Sequence, residues 1–92
     1  MREVILSEKA ADYLEKLFIY LEKEWPKKVK SDIIKKLEMV IQTIQNNPDA
    51  FPYSLSKEKL HCALITKHNK MFYYHNKKRI EIVMFIDSRM NL

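Results

Sequence analysis

The stretch KHNKMFYYHNKKRIEIVMFID, Lys67 to Asp87, decides the fold. His68-Asn69 can make a turn, Met71–His75 reads as a strand, Asn76–Lys78 as a second turn and Arg79–Asp87 as the last strand. That strand alternates Ile80, Ile82, Met84 and Ile86 against Glu81, Val83 and Phe85, the two-residue period of a pleated strand. The four-residue face is expected in the core. The opposite face should meet solvent in an antiparallel sheet covered on one side only. It nevertheless carries Val83 and Phe85, together with a tyrosine from the neighbouring strand. Tyr73 and Tyr74 are adjacent, so one points into the core and the other outward. Apolar groups on an outer face want a cover, and no remaining segment looks long enough to supply it. A partner docked on the outer sheet face is therefore expected.

Upstream, Glu3–Leu6 reads as a short strand and Ser7 offers a hydroxyl to cap a helix. Ala10, Leu14, Leu17, Phe18 and Leu21 then mark one face of an amphipathic helix. Trp25-Pro26 breaks that pattern, because proline disfavours helix in the residue before it and suits the first turn of a new one. The second helix carries Val29, Ile33, Leu37, Val40, Ile41 and Ile44 on one face. It stops at Asn46-Asn47-Pro48, where asparagine suits a left-handed cap. Asp49–Ser56 is a connector. Leu60–Thr66 is a strand with Leu60, Cys62 and Leu64 on one side and Ala63 and Ile65 on the other. The expected fold class is α+β, in the order β-α-α-β-β-β. A two-helix antiparallel hairpin packs on one face of a mostly antiparallel sheet, as a single domain over residues 1–92.

The net charge of +5 fits an anionic partner without requiring one. The imbalance is local, with seven Lys/Arg and one Glu between Lys57 and Arg79. A chain without glycine cannot build the glycine-rich phosphate loops of nucleotide-binding proteins. One cysteine, Cys62, excludes an internal disulfide and reads as a buried structural thiol. The longest apolar runs are far too short to span a membrane and no signal peptide is visible, so a cytoplasmic protein with no membrane partner is expected.

His61, His68 and His75 are seven residues apart. With a turn near His68, His61 and His75 fall on adjacent strands, near each other. No carboxylate or thiol completes a metal set at recognised spacing, so neither a metal nor another cofactor is expected. Trp25 reads as a lid on the core at the helix break.

The chain resembles the RelE/ParE toxin superfamily of type II toxin–antitoxin systems, and within it the ParE-like plasmid stabilisation branch. The resemblance covers nearly the whole length. It is carried by VILSEKAADYLEKLFIYLEKEW, the IQNNPDAFPYS connector, the KHNKMFYY hairpin and the FIDSRMN ending. It implies a curved sheet, a cognate antitoxin that wraps the toxin, and contact with operator DNA only indirectly, through that antitoxin. The apolar outer face then acquires a natural cover, with Tyr73, Val83 and Phe85 expected to bind the antitoxin.

The superfamily holds two activities. RelE-like members resemble ribosome-dependent ribonucleases that cut mRNA, whereas ParE-like members bind and poison DNA gyrase without catalysis. RNA cleavage needs a base, an acid and cations for the phosphorane charge. The RelE-like motif resembling Y-R-I-x-Y is matched here by Lys70-Met71-Phe72-Tyr73, and lysine lacks the arginine fork that clamps phosphate. At the end, Asp87-Ser88-Arg89-Met90 has Asp87 where RelE-like chains often carry histidine, and only Arg89 matches. The expected function is therefore a toxin that binds a gyrase-type target through Lys67, Lys70, Lys77, Lys78, Arg79 and Arg89. In the alternative, a ribosome-dependent mRNA endoribonuclease, Lys70 and Arg89 would steady phosphate and His61, His68 or His75 would move protons. A second alternative is an inactive member that only binds its antitoxin and tunes repression.

Overall fold

A computed structural model describes residues 2–57 and 59–90. Met1, Glu58, Asn91 and Leu92 lie outside the described residues, so the asparagine of the FIDSRMN ending is outside them too. The elements run β1 (Glu3–Leu6), α1 (Glu8–Glu24), α2 (Lys27–Asn46), β2 (His61–Thr66), β3 (Asn69–His75) and β4 (Arg79–Asp87). The expected α+β order holds. The sheet order is β1-β4-β3-β2, with β1 parallel to β4 and the other two pairings antiparallel.

Local chemistry sets the helix limits. The Ser7 hydroxyl accepts from the Ala10 N–H at 3.0 Å and caps α1. Trp25 closes α1 in extended conformation, and Pro26, with φ −57°, opens α2. Asn47 ends α2 extended rather than left-handed, and its Oδ1 accepts from the Asp49 N–H at 3.2 Å. This turn sends the chain back over the end of the sheet.

The main core joins Ala10 and Ile44 of the helices to Ala63, Ile65, Met71, Tyr73, Ile80, Ile82 and Phe85 of the sheet. Leu17, Leu21 and Ile33 form a second cluster between the helices, with Val29 and Met90 against it.

One irregularity corrects the predicted strand faces. Phe72 pairs with Met84, but Tyr73 pairs with Ile82, so Val83 is an extra residue in β4. Such a bulge reverses which side chains face the core. Ile80 and Ile82 point inward before it, and Phe85 and Asp87 are buried after it. Met84 is half-buried and Ile86 is exposed, against the expected four-residue core face. Phe85, expected outward for a partner, is 4% exposed inside the core. Tyr73, expected at the same docking face, is wholly buried, and Tyr74 is the outward member of the pair.

The outer face also has more cover than the sequence suggests. The connector runs antiparallel beside the start of β2, through Cys62 N–H to Pro52 O (2.9 Å) and Ser54 N–H to Leu60 O (2.7 Å). Lys57 Nζ then stands 5.6 Å over the ring of Phe72, which is buried although it faces away from the helices.

Candidate functional site

His61 of β2 pairs with Tyr73 of β3, and His75 lies two residues further along β3 on the same face. Both histidines sit beside the connector that follows α2, against Phe51 and Asp49. The Asn47-Pro48-Asp49 turn closes this end of the sheet, with the Tyr73 hydroxyl donating to Pro48 O at 2.8 Å. Burial pushes the Tyr73 phenol up to about 12.

The turn brings in a carboxylate that spacing alone does not reveal. Asp49 Oδ1 lies 2.9 Å from His75 Nε2 and 3.6 Å from His61 Nε2. The hydrogen bond from His75 holds the Asp49 carboxyl below its usual range, helped by the charges of His75, His61 and Arg2. His61 is oriented from three sides. Its Nδ1 lies 2.6 Å from Phe51 O, and its ring stacks on Tyr53 at 4.2 Å and Tyr73 at 4.9 Å. Asp49, Phe51 and Tyr53 all belong to the connector. The sequence signal for them was a turn directly after α2 leading into a segment that must rejoin the sheet beside His61.

His68 does not join this cluster. It lies in the turn between β2 and β3, at the far end of that hairpin, with Nδ1 3.3 Å from Ser88 Oγ. Together with Lys67, Arg89 and Lys36 it lines a surface pocket of about 400 Å³.

The six cations expected at a target surface are spread over the molecule. Lys77, Lys78 and Arg79 are exposed at the turn into β4, and Lys67 is exposed at the opposite end of β3. The length of β3 separates these groups by roughly 20 Å. Lys70 is exposed between them on the outer face. Arg89 is not a free cation. Its Nε and Nη2 donate to the two carboxylate oxygens of Asp87 at 3.1 and 2.8 Å, and the guanidinium lies 5.2 Å from the Trp25 ring centre. Burial would raise the Asp87 carboxyl, but its bonds from Arg89 and Asn69 outweigh burial and hold it below the usual range. Trp25 itself is 39% exposed, held by Tyr20 and Arg89 at the helix break rather than closing the core.

On the outer face Leu64, Lys70 and Ile86 stand side by side across three strands. Leu64 is 54% and Ile86 38% exposed, and half-buried Met84 lies one row away. Tyr74 donates to the Glu81 carboxylate on the same face, and that bond raises its phenol pKa.

No family model matches the chain, and no curated protein matches its sequence. Solved structures match along nearly the full length. The chromosomal ParDE toxin–antitoxin system of P. aeruginosa aligns with a TM-score of 0.74 at 13% identity, over 95% of this chain and 96% of that one. A YoeB/ParE toxin from Agrobacterium tumefaciens aligns at 0.67 and 13% identity, over 92% and 96%. A chain of the E. coli DinJ–YafQ complex aligns at 0.62 and 12% identity, over 97% and 96%. The chain thus has the RelE/ParE-like toxin fold.

Proposed function

We propose that the chain is the toxin of a type II toxin–antitoxin pair, neutralised by direct binding of a cognate antitoxin, and that it arrests growth by binding a gyrase-type target. The observation that carries the toxin reading is the end-to-end match to toxins of this fold, two of them from toxin–antitoxin assemblies. Partner binding is supported by the outer row of Leu64 and Ile86, apolar side chains exposed beside Lys70. An antitoxin segment that covers Leu64 and Ile86 and sets a carboxylate against Lys70 fits this surface. Val83 is half-buried at the bulge, beyond the Phe72–Met84 row, and Tyr73 and Phe85 are buried in the core.

The binding mode is favoured over catalysis because most of the groups named for RNA cleavage do not converge. Lys70 is on the outer face, His61 and His75 are on the helix side of the sheet, and the Arg89 guanidinium is engaged by Asp87. General acid–base work needs its groups within hydrogen-bond reach of one substrate. The ribonuclease reading keeps one specific support, the pocket that gathers His68, Lys67, Lys36 and Arg89.

The deciding experiment adds the antitoxin-free protein to a purified translation system and maps mRNA 5′ ends by primer extension, with and without ribosomes. Intact mRNA from a protein that still arrests growth supports the binding mode, and loss of gyrase supercoiling then identifies the target. Cuts that require ribosomes and disappear in His68→Ala overturn it in favour of the pocket. A protein that is harmless without its antitoxin, yet binds it, is the inactive co-repressor instead.

A further inference from the structure

We propose that Asp49, His61 and His75 form a binding site for a divalent transition-metal ion of the Zn²⁺ class, with its remaining coordination positions open to solvent. Among the described residues this is the one group of three His, Cys, Asp or Glu side chains whose donor atoms all lie within 4.8 Å of one another. Donors placed tetrahedrally about 2.1 Å from a zinc ion are separated by roughly 3.4 Å. Asp49 Oδ1 stands 2.9 and 3.6 Å from the two imidazole nitrogens, so small side-chain rotations complete the set once the metal displaces to solvent the proton that His75 Nε2 shares with Asp49.

The surroundings of His61 are those of a metal ligand. The Phe51 carbonyl 2.6 Å from its Nδ1 can only accept, so Nδ1 carries the proton and Nε2 is left with its lone pair in the neutral ring. Metal-bound histidines commonly donate their second nitrogen to such a carbonyl, which fixes both tautomer and ring plane. Tyr53 and Tyr73 hold that plane from either side. A simple ion pair accounts for His75 on Asp49. It does not account for a buried His61 whose second nitrogen stands 3.6 Å from the same oxygen, beyond hydrogen-bond range. The side chains grade outward, from His61 at 4% exposed through His75 at 19% to Asp49 at 72%. The site is closed around His61 and open to solvent at Asp49. Two imidazoles and one carboxylate favour zinc, cobalt, nickel or copper over the all-oxygen shells of calcium and magnesium. Bound metal would clip the connector to the end of the sheet.

The test is a CoCl₂ titration of the purified, chelator-treated chain, followed by visible absorption, with ZnCl₂ as competitor and the thermal midpoint as a second readout. Cobalt d–d bands that zinc displaces, and a midpoint raised by ZnCl₂, are expected. Asp49→Asn and His75→Gln should each weaken binding about 100-fold or more, since even second-shell changes cost 10–100-fold. His68→Gln should bind like the wild type. If His75→Gln fails to fold, Asp49→Asn decides, because a carboxylate 72% exposed can be replaced without loss of structure. Wild-type binding no tighter than that of Asp49→Asn, or binding abolished by His68→Gln, would overturn the site.

Discussion

The Asp87 carboxylate takes three hydrogen bonds from Arg89, two residues further along the chain. The backbone N–H donates at 2.7 Å, and Nε and Nη2 at 3.1 and 2.8 Å. Asn69 adds a fourth through its amide. The Asp87 side chain is wholly buried and that of Arg89 is 14% exposed. This network fixes the last turn of chain against the start of β3, and it gives the arginine of the FIDSRMN ending a structural task.

Removing Arg89 would strand that carboxylate. Arg89→Ala should cost about 3 kcal/mol of folding stability, the usual penalty for breaking a buried pair from one side. Arg89→Lys should recover only part of it, because an ammonium cannot grip both oxygens. Urea denaturation checks both. Any loss of growth arrest in Arg89→Ala would then track loss of folded protein. An Arg89→Ala protein as stable as the wild type would restore the residue as a target contact.

The same pair predicts an acid limit. The Asp87 carboxyl lies below its ordinary value in the folded state, so near pH 3–4 the unfolded chain binds more protons. Stability from this group is fully present above the ordinary carboxylate range, and it is lost as pH falls through the lowered folded value. Thermal midpoints of the wild type should drop between about pH 5 and 2 more steeply than those of Asp87→Asn. Parallel curves would assign the acid transition to other groups.

Most of the fold was legible because local pattern and packing agree. Ala10, Leu17 and Leu21 recur at helical spacing and are buried, as are Ile33 and Ile44, and Ser7, Pro26 and Pro48 mark helix ends by their own chemistry. The bulge at Val83 was not legible. Its sequence alternates without a break, and the extra residue is set by how β4 fits against β3. The error passed directly to the site, since one displaced residue exchanges Phe85 for Ile86 on the outer face. Asp49 was missed for a related reason: it reaches His61 and His75 through a loop, and contact across a loop leaves no periodicity. The nearness of His61 and His75, whose ring centres are 5.3 Å apart, was legible because turn and strand lengths place them on adjacent strands.

Phe85 and Ile86 test that exchange directly. Phe85→Ala should cost about 3–5 kcal/mol in stability as a core truncation. Ile86→Ser, at a site 38% exposed, should change stability by no more than about 1 kcal/mol. It should instead weaken antitoxin binding measured by calorimetry. The opposite assignment, a stable Phe85→Ala protein and an unstable Ile86→Ser protein, would mean that β4 carries no bulge.

Ser7 joins the helix cap to the bulge. Its Oγ accepts from the Ala10 N–H at 3.0 Å and donates to the Val83 carbonyl at 2.6 Å. One hydroxyl thus serves the start of α1 and an acceptor that the bulge turns out of the β3–β4 ladder. Ser7→Ala should cost about 1–2 kcal/mol, since both bonds are lost. Ser7→Thr keeps an acceptor and a donor and should stay within about 0.5 kcal/mol of the wild type. Ser7→Asp separates the two roles. Its carboxylate still caps the helix, and aspartate caps as well as serine does. It has no proton for the Val83 carbonyl, so two acceptors would face each other. Ser7→Asp should therefore lose stability in urea denaturation, although its helix is properly capped. A Ser7→Asp protein as stable as the wild type would show that the hydroxyl acts only as a cap, with no part in holding the bulge that sets which residues of β4 face the core.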